Sequence, residues 1–576
     1  MKTNINRSKT IVNDLPINPY ESKFWVKNYP EHIPTEIKIP EINLFEILDN
    51  TAENHGNRPA IYFLGKRMKY KKLKKLTDKL ATALVNLGLK KGDRVGLLMP
   101  NFPQYIIAYF GILKAGGIVV PCNTLYKKHE LLYQLNDSAA EILITHDAHL
   151  EKINKIRDST NLRHVIISNV FDYSPLANPN PPKLKGYVQL LTLIRKTKPN
   201  IPKFKTNAKE DVAILQYTGG TTGLPKGAML THYNLISAAY IMYEWVKPTM
   251  ITAKETVLTQ LTLSHIFGMS VCMNICIKEA GCLALNPDPR DHKSFFEVMR
   301  DTRPTHMPGV PRIYMNLLER EDFKDYVKRF KTLKICISGA APMPPETMKE
   351  FESITGAKIL EGYGMSETSA AGISNPLYGK RKFGSVGSPH PGIDIKIVDI
   401  DDYTKIMPLG ESGELMIKSP TVMKGYWDRP EETAEQLKED GWILTGDIAR
   451  MDNDGYVFIV DRKKDMLNIS GFKVYPQEVE NLLIEHEAVE DAAVIGLPNP
   501  NNPGSNIIKA FIVLKTVYSE GYELMEDIRQ FCRKNLAPYK VPKQFEFRKE
   551  LPQTKLMKLS RKDLKNYEAF QRGEEI

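Results

Sequence analysis

The chain has 576 residues, 42% hydrophobic and 26% charged, too long for one core and too apolar for disorder, so at least two folded domains are expected. Its net charge of +11 is spread over lysines from Lys66 to Lys565, interleaved with acids such as Asp78, Glu130 and Glu151. Without a basic block this argues against nucleic acid and leaves solvated lysine, small polyanions or an anionic membrane surface. Six cysteines (Cys122, Cys272, Cys276, Cys282, Cys336, Cys532) make no disulfide framework over this length and fit a reducing compartment. Cys272, Cys276 and Cys282 lie in apolar sequence without paired C-x-x-C spacing, so they read as buried small hydrophobes, and no structural metal is expected.

In chain order, MKTNINRSKTIVNDLP has basic residues but no apolar core behind them, so no secretory signal is expected. Leu73, Leu76, Leu80, Leu84 and Leu87 recur at helical steps, Gly88 offers a stop, and the run 95–99 reads as a buried strand. The apolar stretch 105–121 is interrupted by Gly111, Lys114, Gly116 and Gly117, too often to span a bilayer. The chain therefore reads as soluble or peripheral: cytoplasmic, or against the inner face of a membrane. Short apolar runs at 141–145, 165–167 and 333–337 alternate with helical patterns at 294–300 and 345–354, which predicts an α/β fold with largely parallel sheets. From Pro389 short strands follow at 393–398, 413–418 and 455–461, a small β-rich subdomain ending near Asp461. The charged break DRKKD (461–465) precedes a compact block in which Pro476 opens the helix QEVENLLIEH, with strands at 492–495 and 508–514. A boundary falls there, dividing residues 1–463 from 464–576, and a short polar linker of this kind suits a hinge.

Three segments carry the chemistry. YTGGTTGLPKGAMLTH (217–232) is a phosphate cradle. Gly219, Gly220 and Gly223 let backbone N–H groups face an anion, Thr218, Thr221 and Thr222 add hydroxyls, and Lys226 adds charge. It is no Walker A loop, because Lys226 follows Pro225 and precedes Gly227. LEGYGMSETSAAG (360–372) sets an aromatic, Tyr363, beside a hydroxyl, Ser366, and a carboxylate, Glu367: a purine stack, a phosphate donor and a ligand for a hard Mg²⁺. GWILTGDIA (441–449) presents Asp447 after a tight Thr-Gly turn, suited to accepting both ribose hydroxyls, with Arg462 downstream as a fixed cation. Together they form a nucleotide site.

With SGAAPMPPE (338–346), GYWDRPEETAE, DRKKDMLNISGFKVYPQEVE and LPQTKLMKLSRK in the same order and spacing, the chain resembles the adenylate-forming superfamily of acyl-CoA synthetases from about residue 45 to 562. Within it, long- and medium-chain fatty-acid CoA ligases are more similar than coumarate ligases or peptide-synthetase adenylation domains. The resemblance implies a large N-terminal domain of stacked subdomains with the β-rich subdomain, and a small mobile α+β C-terminal domain swivelling at Lys464. It implies that Thr218, Gly219, Gly220, Thr221, Thr222 and Lys226 hold the ATP phosphates, and that Gly339, Ala340, Ala341, Pro342, Glu361, Gly362, Tyr363 and Gly364 line adenine. Asp447 and Arg462 hold ribose, and Glu367 with Thr218 holds Mg²⁺. Ser366 stands where the family usually has Thr and keeps the hydroxyl for the α-phosphate. Lys558 matches the catalytic lysine, with Met557 in place of the usual preceding Gly and Lys555 as the alternative. Gly471 lies at the CoA channel, and His265 in LTLSHIFGM at the mouth of the acyl pocket.

The residue types agree with that chemistry. A carboxylate of reference pKa about 4.3 is already ionised near neutrality, so attack on an α-phosphate needs no general base, only in-line placement and positive charge. The expected reaction consumes fatty acid, ATP and CoA and forms AMP and pyrophosphate. Acyl transfer to a carrier protein, an aryl or short-chain substrate, or a noncatalytic nucleotide- or membrane-binding protein are the alternatives. A monomer or homodimer is expected.

Overall fold

In the computed structural model residues 18–178, 184–201, 204–218, 224–288, 291–470, 472–500, 502–554 and 559–572 are described. The leucines at helical spacing form the helix Tyr70–Asn86, and the interrupted apolar stretch divides into the helix Pro103–Lys114 and the strand Ile118–Pro121. Every residue of Pro103–Lys114 is buried, which requires Lys114 to be neutralised; its ammonium contacts Asp49 and lies 2.5 Å from Asp78. Among the described residues no helix is long and apolar enough to cross a membrane.

Two large sheets share one hydrophobic core. In the first, strands run in the order Val188–Gln189, His164–Ser168, Ile142–His146, Arg94–Leu98, Ile118–Pro121, Val212–Thr218 and Lys226–Thr231, parallel except for the last pair. The second has nine strands, of which six are consecutive and parallel: Ile359–Tyr363, Ile335–Ser338, His306–Gly309, Thr256–Thr259, Cys282–Leu285 and Pro59–Phe63. Parallel strands buried on both faces explain why these runs are continuously apolar rather than alternating. The sites predicted at their carboxyl ends, Thr218, Gly339 and Tyr363, fall where open α/β sheets bind ligands.

The third sheet is antiparallel: Asp394–Val398, Gly413–Lys418, Trp442–Met451 and Val457–Arg462. The segment before residue 45 touches both the Gly455 turn of this sheet and the edge strand Ser388–Pro389 of the second sheet. Tyr29 donates its hydroxyl to the Pro389 carbonyl at 2.5 Å. The turn at Gly455 has φ +80°, and an added Cβ would sit 2.3 Å from that of Trp25, so only glycine admits the Trp25 backbone so close. Beyond residue 466 a hairpin (Leu467–Ile469, Phe472–Val474), the helix Pro476–Ile484 and a three-stranded sheet (Val489–Pro498, Asn506–Leu514, Gln544–Phe547) build two small cores of their own. All six cysteines are buried and unpaired, and among the described residues no group of three potential ligands could hold a metal ion.

Candidate active site

Thr218 ends one strand and Lys226 begins the next, and the two face each other across an antiparallel pair. The loop they close contains Gly219, Gly220, Thr221 and Thr222, which lie outside the described residues, as do Gly471, Lys555, Met557 and Lys558. The segment 424–427 runs beside the outgoing strand: Lys424 N donates to Met229 O (2.9 Å), Met229 N to Gly425 O (2.8 Å) and Trp427 N to Gly227 O (2.8 Å). That pairing brings Tyr426 to the site. Its ring lies 5.5 Å from the Lys226 ammonium, and its hydroxyl 2.7 Å from a Glu367 oxygen and 2.6 Å from that of Gln436. Glu367 and Thr368 are buried in the turn Ser366–Thr368; burial raises the Glu367 carboxyl pKa, and the Tyr426 hydroxyl opposes the shift. Among the described residues, the anionic neighbour of Lys226 is Glu432, at 3.9 Å.

At the other end Asp447 is buried and its oxygens are divided between two partners. Tyr363 donates its hydroxyl to one at 2.5 Å, and Arg462 Nε lies 2.8 Å from the other. Asp447 and Arg462 face each other in neighbouring strands. The Thr445-Gly446 pair is not the tight turn expected from the sequence. It lies inside the ten-residue strand Trp442–Met451, where Gly446 takes φ +70° and the register shifts between Ile448 and Ala449. A bulge re-aims side chains without ending the strand. Arg462 is half exposed and its charge is matched by Asp447, so the cation found downstream in the sequence is already half of an ion pair.

Gly339, Ala340, Ala341 and Pro342 leave the end of Ile335–Ser338, with Ala340 at φ +71°, a strained value for a non-glycine residue. A Cβ on Gly339 would come within 3.3 Å of the Gly362 carbonyl and of the Phe267 ring, so that loop, the Gly362–Gly364 backbone and the His265 segment converge. Glu361 accepts from Met343 N at 3.0 Å, while its other oxygen is buried without a partner among the described residues, and burial raises the carboxyl pKa to about 7. His265 accepts from Phe267 N at 3.3 Å through Nδ1 and precedes a π-helix, Gly268–Asn274, a rare form that often marks functional sites.

The 461–465 segment is more firmly held than a polar linker. Lys463 reaches Glu414 at 2.7 Å, and Asp461 is buried and accepts from Gln477 N at 2.8 Å, at the start of the helix Pro476–Ile484. Arg561 pairs with Glu480 (2.5 Å) and approaches Asp461 at 3.6 Å. Tyr426, Gln436 and Asp461 were missed as site neighbours; the signal for Tyr426 was its place in GYWDRPEET, a motif whose order was legible and whose contact with Glu367 was not.

A strand-borne carboxylate shared by a tyrosine and an arginine, together with a lysine, a second buried carboxylate and the two ends of a glycine-rich loop, is the arrangement expected of a nucleotide-binding site of the adenylating type. The model of the AMP-binding enzyme family matches residues 48–427, and that of its C-terminal domain residues 478–558. The chain belongs to the AMP-binding enzyme family. It is 39% identical over 560 residues to a long-chain-fatty-acid–CoA ligase of Bacillus subtilis (strain 168), covering 94% of this chain and 97% of that one. It is 30% identical over 497 residues to a 4-coumarate–CoA ligase of Pinus taeda, covering 85% and 88%. A crystal structure of an anthranilate CoA ligase in complex with anthranoyl-AMP superimposes with a TM-score of 0.83 at 28% identity, covering 93% and 99%.

Proposed function

We propose that the chain is an AMP-forming acid–thiol ligase that joins a long- or medium-chain fatty acid to CoA through an acyl adenylate, with release of pyrophosphate. The observation that carries this reading is the cluster of Tyr363 and Arg462 on the buried Asp447 at one end of a site whose other end holds Lys226 and Glu367. The greater identity to fatty-acid ligases than to a coumarate ligase supports the substrate class. Asp447 accepts from the ribose hydroxyls through its remaining lone pairs, and Arg462 keeps it oriented. The 339–342 loop and Gly362–Gly364 line adenine, and the orphaned oxygen of Glu361 is an acceptor suited to an exocyclic amine.

The fatty carboxylate attacks as the anion it already is. Thr218, Thr221, Thr222 and Lys226 orient the phosphates, Ser366 donates to the α-phosphate, and Lys558 adds positive charge where negative charge develops. Glu367 and Thr218, a hard carboxylate with a hydroxyl, fit magnesium brought in with the nucleotide, which lowers the charge on the phosphates. Residues 464–576 act as a second domain. Turning it at Lys464 withdraws Lys558 and presents Gly471 to the pantetheine channel for thiol attack; His265 lines the acyl entrance.

Measuring AMP release from a panel of carboxylates, with and without CoA, tests this. AMP formation that turns over only with CoA and prefers long or medium chains is expected. Turnover with a carrier protein instead of CoA, or with aryl acids alone, would overturn the assignment.

A further inference from the structure

Both stems of the phosphate loop are tied to the end of one helix outside the motifs. Asp137, the last residue of the helix Lys128–Asp137, is nearly buried and receives the Tyr217 hydroxyl on one oxygen at 2.6 Å and Arg429 Nη2 on the other at 2.6 Å. One turn earlier in the helix, Tyr133 donates its hydroxyl to the Pro225 carbonyl at 3.0 Å. Tyr217 immediately precedes Thr218, and Pro225 immediately precedes Lys226. One helix end therefore grips the loop at its entry and at its exit.

Two further features serve that grip. A Cβ on Gly227 would stand 3.1 Å from the Tyr217 ring, so glycine leaves the room in which this ring reaches Asp137. Asp428 takes φ +50°, an uncommon backbone value that turns the chain just before Arg429. Arg429 also lies 3.9 Å from Glu432, the same carboxylate that lies 3.9 Å from Lys226. By sharing Glu432 with Lys226, Arg429 keeps the lysine's charge from being matched by a private counter-ion.

We propose that Asp137, with Tyr133 and Arg429, is a positioning cluster for the first half-reaction: it fixes the two ends of the phosphate-binding loop and leaves Lys226 available to a polyphosphate. The inference rests on the adenylating function proposed above. The cluster touches no reacting atom. Its effect passes through Thr218 and Lys226, and it has no part in the attack of a thiol on a finished acyl adenylate.

The test is ATP–pyrophosphate exchange driven by a fatty acid, measured alongside thioesterification of supplied acyl-AMP, in the parent chain and in Asp137→Asn, Arg429→Gln, the double variant and Tyr133→Phe. Asparagine still accepts from Tyr217 but loses the charge facing Arg429. Losing a charge-assisted hydrogen bond should raise KM for ATP in exchange about tenfold in Asp137→Asn and in Arg429→Gln. Thioesterification and the unfolding temperature should be retained, and the double variant should be no worse than either single one, because the two residues form one pair. Tyr133→Phe should give a smaller defect of the same kind. An unchanged KM for ATP, additive losses, or equal losses in both half-reactions with a lowered unfolding temperature would overturn the positioning role. Absence of exchange in the parent chain would instead overturn the adenylating function itself.

Discussion

At the proposed ribose end of the site Asp447 is buried with both oxygens engaged, by Tyr363 at 2.5 Å and Arg462 at 2.8 Å. At the proposed phosphate end Lys226 is partly exposed, with Glu432, its carboxylate neighbour among the described residues, at 3.9 Å, and Glu367 has the Tyr426 hydroxyl at 2.7 Å. The first end is finished before any ligand arrives; the second is arranged around charge that the ligand supplies. A finished end contributes to folding as well as to binding, since its polar groups are satisfied by the protein itself. An open end contributes to chemistry, since donors and cations without tight partners are the ones that can stabilise charge developing in a transition state.

The largest break in this contrast should come from the charge delivered to the phosphate end. Lys558→Ala is expected to slow adenylate formation by roughly 10²–10³, the range for removing one preorganised charge stabiliser, while thioesterification of supplied acyl-AMP is much less affected. Measuring the half-reactions separately checks it. If Lys555→Ala gave that selective loss instead, Lys555 and not Lys558 would be the catalytic lysine.

Glu361, buried beside the proposed adenine loop, offers a pH test. Its folded-state pKa of about 7 lies above the ordinary carboxyl value of 4.5, so the folded chain binds more protons than the unfolded one between those values. Stability must then fall as pH rises through that window and level off above it. Glu361→Gln should abolish this slope, which is worth up to about 3 kcal/mol at one pKa unit per 1.36 kcal/mol. Denaturant titrations of both proteins at pH 5 and pH 8 measure it, and equal pH dependence would show that the carboxyl finds a counter-charge in solution.

At the finished end, Asp447→Asn should cost about 2 kcal/mol of unfolding free energy, by weakening a charge-assisted bond whose arginine is half exposed, together with a raised KM for ATP. At the open end, Glu367→Gln should leave unfolding nearly unchanged, because amide and carboxylate both accept from Tyr426, while shifting the magnesium needed for half-maximal activity upward. Thermal unfolding and a magnesium titration at saturating ATP separate the two. A stability loss in Glu367→Gln equal to that in Asp447→Asn would erase the distinction between the ends.

Secondary structure in the parallel sheets was readable because buried strands and amphipathic helices write their periodicity locally: the expected strand 95–99 is Arg94–Leu98, and the expected helix 345–354 is Pro345–Thr355. Within the ten-residue strand Trp442–Met451 the Thr445-Gly446 pair has the sequence signal of a turn, since a glycine at positive φ inside a bulge carries the same local signal as one in a turn. Two-residue strands such as Ile373–Ser374 have no period to read.

The residue types needed for nucleotide chemistry, their order along the chain and the family they belong to were determined by the sequence alone, because a glycine-rich loop, a lysine and two carboxylates are chemical facts before the chain folds. Which of those groups satisfy one another was decided only by the tertiary structure. Tyr363 meets Asp447 across 84 positions, Tyr426 meets Glu367 across 59, and Arg429 meets Asp137 across 292. Contacts at such separations depend on strand order and on the path of the connections, which no local pattern encodes. The difference between a finished and an open end of one site is made of those contacts.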